Sequence, residues 1–143
     1  MEDGLKCGTF PAEVAALAPV VKFVREGGRS ARLGQTDLDR LELVLEEVFL
    51  NLVRHAYAPG RTGIAEVAYA VQGPGALSVQ VADHGAPFNP LEQDDPDFEL
   101  ALDERPIGGL GIFLIKTLPA SVSYARAGGR NVLTLCFRTT EAA

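Results

Sequence analysis

The strongest hydrophobic pattern lies in the segment Leu41–Tyr57 and the residues just before it. Apolar side chains recur there three and four positions apart, as on the buried face of an amphipathic helix: Leu38, Leu41, Leu45, Val48 and Leu52. Glu47, Asn51 and His55 are spaced four apart and rise along the flank of that face. They are either the ordinary polar boundary of a surface helix or the lining of a pocket at its edge.

The two adjacent glutamates of this helix are not equivalent. Glu46 is five positions from Asn51 and points about 140° away from it around the helix axis. We therefore predict that Glu46 is a solvated carboxylate and that Glu47 is the candidate for chemistry.

The segments before this helix predict a strand and a shorter helix. Leu5 to Phe10 is a short strand candidate, and Glu13 to Arg25 has apolar residues at helical spacing. The pair Gly27-Gly28 is expected to stop that helix, because glycine is the commonest residue just past a helix end. Thr36 or Asp37 is then expected to cap the long helix.

Two β-hairpins follow in the second half of the chain. Ile64 to Gln72 and Ala76 to Ala82 alternate between apolar and polar residues on either side of a Gly-Pro-Gly turn. Ser121 to Ala125 and Asn131 to Arg138 repeat this arrangement across Gly128-Gly129. The alternation predicts strands with one buried face.

The sequence between the hairpins has a different character. A turn-rich stretch runs from Asp83 to Pro90, and an acidic, solvated loop is predicted for residues 91–105. Gly108 to Gly111 form a glycine-rich turn that opens a short apolar helix. The order strand, two helices, hairpin, loop, helix, hairpin predicts an α+β fold: a two-layer α/β sandwich with a mainly antiparallel mixed sheet and helices on one face.

Composition narrows the class of protein. The 143 residues, 47% hydrophobic and 22% charged, are typical of one folded domain, here residues 1–143. A net charge of −6 argues against a surface for nucleic acid or anionic lipid. The sequence has no evident signal peptide or membrane span, and we expect a cytoplasmic protein in which Cys7 and Cys136 are reduced thiols.

Two polar motifs could bind a nucleotide. The N–H groups of Gly109, Leu110 and Gly111 at a helix start suit a polyphosphate, although such glycines also serve close packing. Asp83-x-Gly85 is either a simple turn or a carboxylate that accepts the exocyclic amine of adenine. In the second case Phe88 would pack on the purine.

The motifs together resemble a known family. Glu47-x-x-x-Asn51-x-x-x-His55, Asp83-x-Gly85-x-Pro87-Phe88, Gly108-Gly109-Leu110-Gly111 and Gly128-Gly129-Arg130-Asn131-Val132-Leu133-Thr134-Leu135 occur in this order. The pattern resembles the anti-sigma-factor serine/threonine protein kinases of the GHKL ATPase superfamily, which have the Bergerat, or histidine-kinase-like, fold. The resemblance covers nearly the whole chain.

The resemblance implies a role for each matched residue. Asn51 corresponds to the Mg²⁺ ligand, Glu47 to the general base and Asp83 to the adenine-binding aspartate. Gly108 to Gly111 correspond to the phosphate-binding turn beneath an ATP lid, here Leu91 to Ile107.

Further nucleotide-site residues follow from the same resemblance. Gly85 and Phe88 belong to the second box, and Thr134 belongs to the last box, near the adenine. Arg54 or Arg105 could add positive charge at the γ-phosphate, although an exposed salt bridge is the other interpretation of each.

The implied activity is transfer of the γ-phosphate of Mg-ATP to a serine or threonine of a STAS-type anti-sigma-factor antagonist. A sigma factor would be a second partner, and a homodimer is expected from the resemblance alone. The alternative is a nucleotide-gated binding module that sequesters a partner without kinase activity, because binding and transfer use the same motifs.

Overall fold

The computed structural model describes residues 5–58, 60–61, 63–92 and 109–139. In chain order the elements are β1 (Leu5–Pro11), α1 (Leu17–Ser30), α2 (Gln35–His55), β2 (Ile64–Val71), β3 (Ala76–Asp83), α3 (Gly109–Thr117), β4 (Ser121–Ala127) and β5 (Arg130–Arg138), with 3₁₀ turns at Val14–Ala16 and Pro90–Glu92.

The five strands form one sheet in the order β1-β2-β3-β5-β4. All four pairings are antiparallel, so the described strands include no parallel pair. One face of the sheet carries the core, to which β2, β3 and β5 contribute alternate apolar residues and α2 contributes its predicted stripe. The predicted α+β class with helices on one face is confirmed.

The strand register places polar residues at one end of the buried face. Asp83 pairs with Ala65 on one side and with Asn131 on the other. Because residues directly opposite in an antiparallel pair project to the same face, the three side chains form a row beside Val81 and Leu133. Asp83 and Asn131 are both buried.

Helix α1 runs through the glycine pair that was expected to stop it. A Cβ on Gly27 would lie 2.5 Å from the Tyr69 ring, and a Cβ on Gly28 would lie 2.6 Å from Leu38 Cδ2. The glycines therefore allow α1 to pack closely on the sheet and on α2, and the predicted stop was wrong. Helix α1 instead continues to Ser30.

The N-cap of helix α2 lies two residues before Thr36 and three before Asp37, the two predicted caps. Gly34 is its N-cap and makes no side-chain cap hydrogen bond. Thr36 and Asp37 lie inside the first turn, so the prediction that one of them caps the helix was wrong. Asp37 is buried, and its Oδ1 lies 3.7 Å from Nη1 of Arg40.

The predicted hairpins are confirmed with small changes of boundary. Strand β3 extends to Asp83, so this aspartate ends a strand rather than starting the following loop. No helix in the described part of the chain is long and apolar enough to cross a membrane.

Candidate functional site

A cleft lies between the C-terminal half of α2 and the end of the sheet where β3 stops. Its polar lining consists of Asn51, His55, Asp83, Tyr124 and Asn131, and most of its other lining is apolar. The cavity measures about 40 Å³, far less than the roughly 300–1,000 Å³ of typical small-molecule pockets. The side chains at its wall would have to move to admit a ligand.

Asp83 is held at the floor of the cleft by two donors. Its Oδ1 accepts hydrogen bonds from the backbone N–H of Gly85 at 2.9 Å and from Nδ2 of Asn131 at 2.9 Å. Its Oδ2 has no hydrogen-bond partner among the described residues. The carboxylate therefore has one free acceptor atom in a largely apolar cleft, which suits an amino group on a flat ring.

Asn131 organises this end of the sheet, and the sequence-based search did not select it. Its side chain also donates to the Ala86 carbonyl at 2.8 Å and accepts from the Phe88 N–H at 3.1 Å and from the Tyr124 hydroxyl. Asn131 is a polar residue on the inward face of an otherwise apolar alternation. Its place in the inward-facing set of alternating strand residues was the signal that could have identified it.

The structure corrects the position of Thr134. Inward-facing residues of β5 are Asn131, Leu133 and Leu135. Because side chains alternate along a strand, Thr134 projects from the opposite face of the sheet. It does not line the cleft, and the residues of β5 that do are Asn131 and Leu133.

The loop after β3 is fixed against the end of α2. A Cβ on Gly85 would overlap the Ala56 carbonyl, so only glycine allows this approach. Nη1 of Arg126 donates to the Gly85 carbonyl at 2.7 Å. Phe88 stacks on His55 with ring centroids 4.7 Å apart, and both rings line the cleft.

Glu47 lies one turn before Asn51 and contacts a different element. A Cβ on Gly111 would overlap the Glu47 carboxylate, so this carboxylate lies directly against the first turn of α3. Glu46 instead lines a groove along α1 with Lys22 and Arg25. The adjacent glutamates therefore lie on different sides of α2.

The remaining predicted positions are less informative. Arg54 is exposed and is not among the residues that line the cleft. Gly109 and Leu110 begin α3, so the glycine pattern forms the first turn of the helix rather than preceding it. Arg105, Gly108 and nearly all of the predicted lid, residues 93–107, lie outside the described residues.

The arrangement combines features that suit a nucleotide. The cleft offers a carboxylate oxygen between apolar walls, and α3 begins close by with glycines in its first turn. A helix N-terminus carries unpaired N–H groups and a partial positive charge, which favour an anion such as phosphate. Within the described residues, no group of three or more His, Cys, Asp or Glu side chains could hold a metal ion.

Comparison with known proteins agrees with this chemistry. A sequence profile of the histidine kinase-like ATPase domain matches residues 10–137. The serine/threonine-protein kinase BtrW of Bordetella bronchiseptica is 34% identical over 106 residues, which are 74% of this chain and 71% of that protein. The serine-protein kinase RsbW of Bacillus velezensis is 31% identical over 112 residues, with coverage of 73% and 69%.

A solved structure supports the same fold. The crystal structure of the RsbU and RsbW domains of a Mycobacterium tuberculosis protein matches with a TM-score of 0.67 and 21% identity, over 97% of this chain. This chain spans 33% of that longer one. The profile and the kinase relatives confirm the resemblance to the histidine kinase-like serine/threonine kinases that the sequence motifs indicated, and this structure agrees with their fold.

Proposed function

Because the chain belongs to the histidine kinase-like ATPase family, we propose that it is an Mg-ATP-dependent serine/threonine protein kinase. Its substrate is a serine or threonine of a STAS-type anti-sigma-factor antagonist. One observation carries this proposal: a single turn of α2 has Asn51 in the wall of the Asp83 cleft and Glu47 against the first turn of α3. This geometry supports assigning Asn51 to the metal and Glu47 to the general base, between an adenine site in the cleft and a phosphate site at the start of α3.

The adenine binds in the cleft with its amino group donating to Asp83. Apolar side chains such as Val81, Leu133 and Ile115 provide the flat-ring environment. Because the cavity is smaller than a purine, we propose that Phe88 leaves its stack on His55 as the purine enters. Phe88 then packs on the purine instead.

The phosphates bind at the start of α3, where Gly109, Leu110 and Gly111 present backbone N–H groups. Asn51 supplies its side-chain carbonyl oxygen, a ligand type that Mg²⁺ accepts when phosphates and water complete the coordination. When bound, Mg²⁺ neutralises the charge on the phosphate oxygens. The sequence motif that we assign to the phosphates also includes Gly108, which lies outside the described residues.

Glu47 is the general base in this proposal. Its carboxylate orients the attacking serine or threonine hydroxyl and takes its proton as the new oxygen–phosphorus bond forms and the bond to ADP breaks. The closeness of this carboxylate to Gly111, in the first turn of α3, supports this role. Arg54, or Arg105 of the lid, adds positive charge at the γ-phosphate.

The same proposal includes a sigma factor as a second binding partner, a homodimer and a cytoplasmic location. The relatives named as serine/threonine and serine-protein kinases support the choice of acceptor residue. The net charge of −6 favours protein partners over nucleic acid or an anionic membrane.

The test compares the two adjacent glutamates. The protein is incubated with Mg-ATP and its cognate antagonist, and phosphate incorporation and ATP affinity are measured for wild type, Glu47→Ala and the matched control Glu46→Ala. We expect Glu47→Ala to bind ATP normally and to transfer phosphate about 10²- to 10⁴-fold more slowly, the usual contribution of a general base. Glu46→Ala should retain both activities.

Full transfer by Glu47→Ala would sink the assignment of the base. If wild type captures its partner in a nucleotide-dependent way but incorporates no phosphate, the protein is instead a nucleotide-gated binding module. Absence of ATP binding by wild type in calorimetry would overturn both functions.

A further inference from the structure

The Asn131 amide uses all of its hydrogen-bonding capacity. Its Nδ2 donates to Asp83 Oδ1 at 2.9 Å and to the Ala86 carbonyl at 2.8 Å. Its Oδ1 accepts from the Phe88 N–H at 3.1 Å and from the Tyr124 hydroxyl. An amide side chain has two N–H donors and two lone pairs on oxygen, so no group of this side chain is left for a ligand.

The chemistry of these partners fixes the orientation of the amide. A carboxylate oxygen and a backbone carbonyl only accept hydrogen bonds, and a backbone N–H only donates. If Nδ2 and Oδ1 exchanged places, the amide oxygen would face two other acceptors, Asp83 Oδ1 and the Ala86 carbonyl. The Phe88 N–H would then face the amide NH₂, which is a donor. The buried Asn131 therefore has one favourable arrangement, in which it donates to Asp83.

This arrangement determines which oxygen of Asp83 a ligand meets. Oδ1 is occupied by Asn131 and by the Gly85 N–H. Oδ2 has no partner in the described part of the chain. A ring that carries an amino group can donate to Oδ2, whereas a keto oxygen in the same place would set an acceptor against an acceptor.

We propose that Asn131 is a positioning residue that sets the preference for an amino-bearing purine by locking Asp83 with one acceptor presented to the cleft. The inference rests on the proposed ATP-binding function. Without the Asn131 donor, the carboxylate is free to turn, so that Oδ2 is no longer the one acceptor fixed toward the base. The same amide fixes the loop that carries Phe88, so base selection and the shape of the cleft depend on one side chain.

The isosteric variant Asn131→Asp tests this role in the full-length chain, with ATP and GTP affinities measured by calorimetry. Oδ1 still accepts from Phe88 and Tyr124, but the donor to Asp83 becomes a second carboxylate. At pH 7.5 we expect the ratio of ATP to GTP affinity to fall about 10- to 100-fold, the equivalent of one hydrogen bond to a charged group.

Asn89→Asp is the matched control. It introduces the same charge in the loop after β3, which Asn131 contacts, and its Oδ1 keeps the acceptor role toward the Leu91 N–H. Its ratio of ATP to GTP affinity should stay within about three-fold of the wild-type ratio.

The outcomes separate the two proposals. If Asn131→Asp keeps the wild-type ratio of ATP to GTP affinity, whether or not both affinities fall, the positioning role is overturned and the proposed ATP binding stands. A wild type that binds neither nucleotide overturns the proposed function and this inference with it. If Asn131→Asp does not fold, Asn131→Ala decides: it removes the donor to Asp83 Oδ1 without adding a charge, and a ratio of ATP to GTP affinity equal to wild type would overturn the inference.

Discussion

Gly85 is the position where the smallest substitution should have the largest local effect. In Gly85→Ala the new Cβ would overlap the Ala56 carbonyl, a backbone group at the end of α2 that cannot turn aside as a side chain can. Gly85 does not have a positive φ, so the expected cost comes from contact rather than from backbone strain. Either the loop or the end of α2 must move.

The cost can be estimated from the contacts that would be disturbed. Overpacking in a filled site costs about 1–3 kcal/mol. Displacing the loop also weakens the Gly85 N–H bond to Asp83, and a hydrogen bond to a charged group contributes about 1.5–3 kcal/mol. Since relaxation of the loop recovers part of both, we expect a loss of about 3 kcal/mol. With a urea m-value of about 2 kcal/mol/M, the midpoint would fall by roughly 1.5 M.

The assay is urea unfolding followed by circular dichroism, together with calorimetry for ATP. Gly128→Ala is the control, because nothing lies within 4 Å of its added Cβ and its φ of 59° adds only backbone strain, about 1 kcal/mol. It should bind ATP like wild type, whereas Gly85→Ala should bind more weakly. If Gly85→Ala unfolds no earlier than Gly128→Ala, the inferred contact with Ala56 is wrong.

Two further predictions concern the core. Gly27→Ala should destabilise the protein by about 1–2 kcal/mol, which is the overpacking cost less the gain in helix propensity, because its Cβ would meet the Tyr69 ring, and Phe23 confines that ring with its centroid 5.0 Å away. In a Tyr69→Ala background the same change should instead stabilise the protein, as measured by thermal unfolding. Equal effects in the two backgrounds would contradict the contact. Burial, and secondarily the charge of Glu26, raise the pKa of Tyr69 above its usual 10.0. The contribution of the neutral phenol to folding stability is therefore complete below pH 10 and is lost as the pH rises through the raised pKa. A phenolate absorbance titration in which Tyr69→Phe removes no late step would contradict this prediction.

The glycine pair of α1 illustrates how far local sequence rules extend. The periodicity of Glu13 to Arg25 predicted a helix, and the structure has one. Gly27-Gly28 then resembled a stop signal, because glycine is favoured just past a helix end. Its actual cause is close contact with Tyr69 and Leu38, side chains that only the tertiary fold brings there. Helix type was therefore predictable from the sequence, and the helix end was not.

The last strand shows a different limit. Strand β5 was predicted with nearly correct bounds. Thr134, however, was assigned to the adenine pocket by motif resemblance and not by asking which side chains of the strand face inward. Leu133 and Leu135 are inward-facing, so the polar residue on the same face must be an odd-numbered neighbour, which is Asn131. Alternation along the strand could have excluded Thr134. The pairing of Asn131 with Asp83 required the register between β3 and β5, which the sequence does not specify.

The polar flank of α2 has a clearer explanation once its neighbours are known. On a surface helix, residues spaced four apart would share one environment, the solvent. Here Glu47 contacts the first turn of α3, Asn51 lines the Asp83 cleft and His55 stacks on Phe88. Glu47 thus meets α3, whereas Asn51 and His55 line one cleft, His55 through its stack on Phe88. If Glu47, Asn51 and His55 served only solubility, replacing any of them with another of the three would have little effect. Because their contacts differ, we expect each such replacement to disrupt a different step of nucleotide binding or transfer.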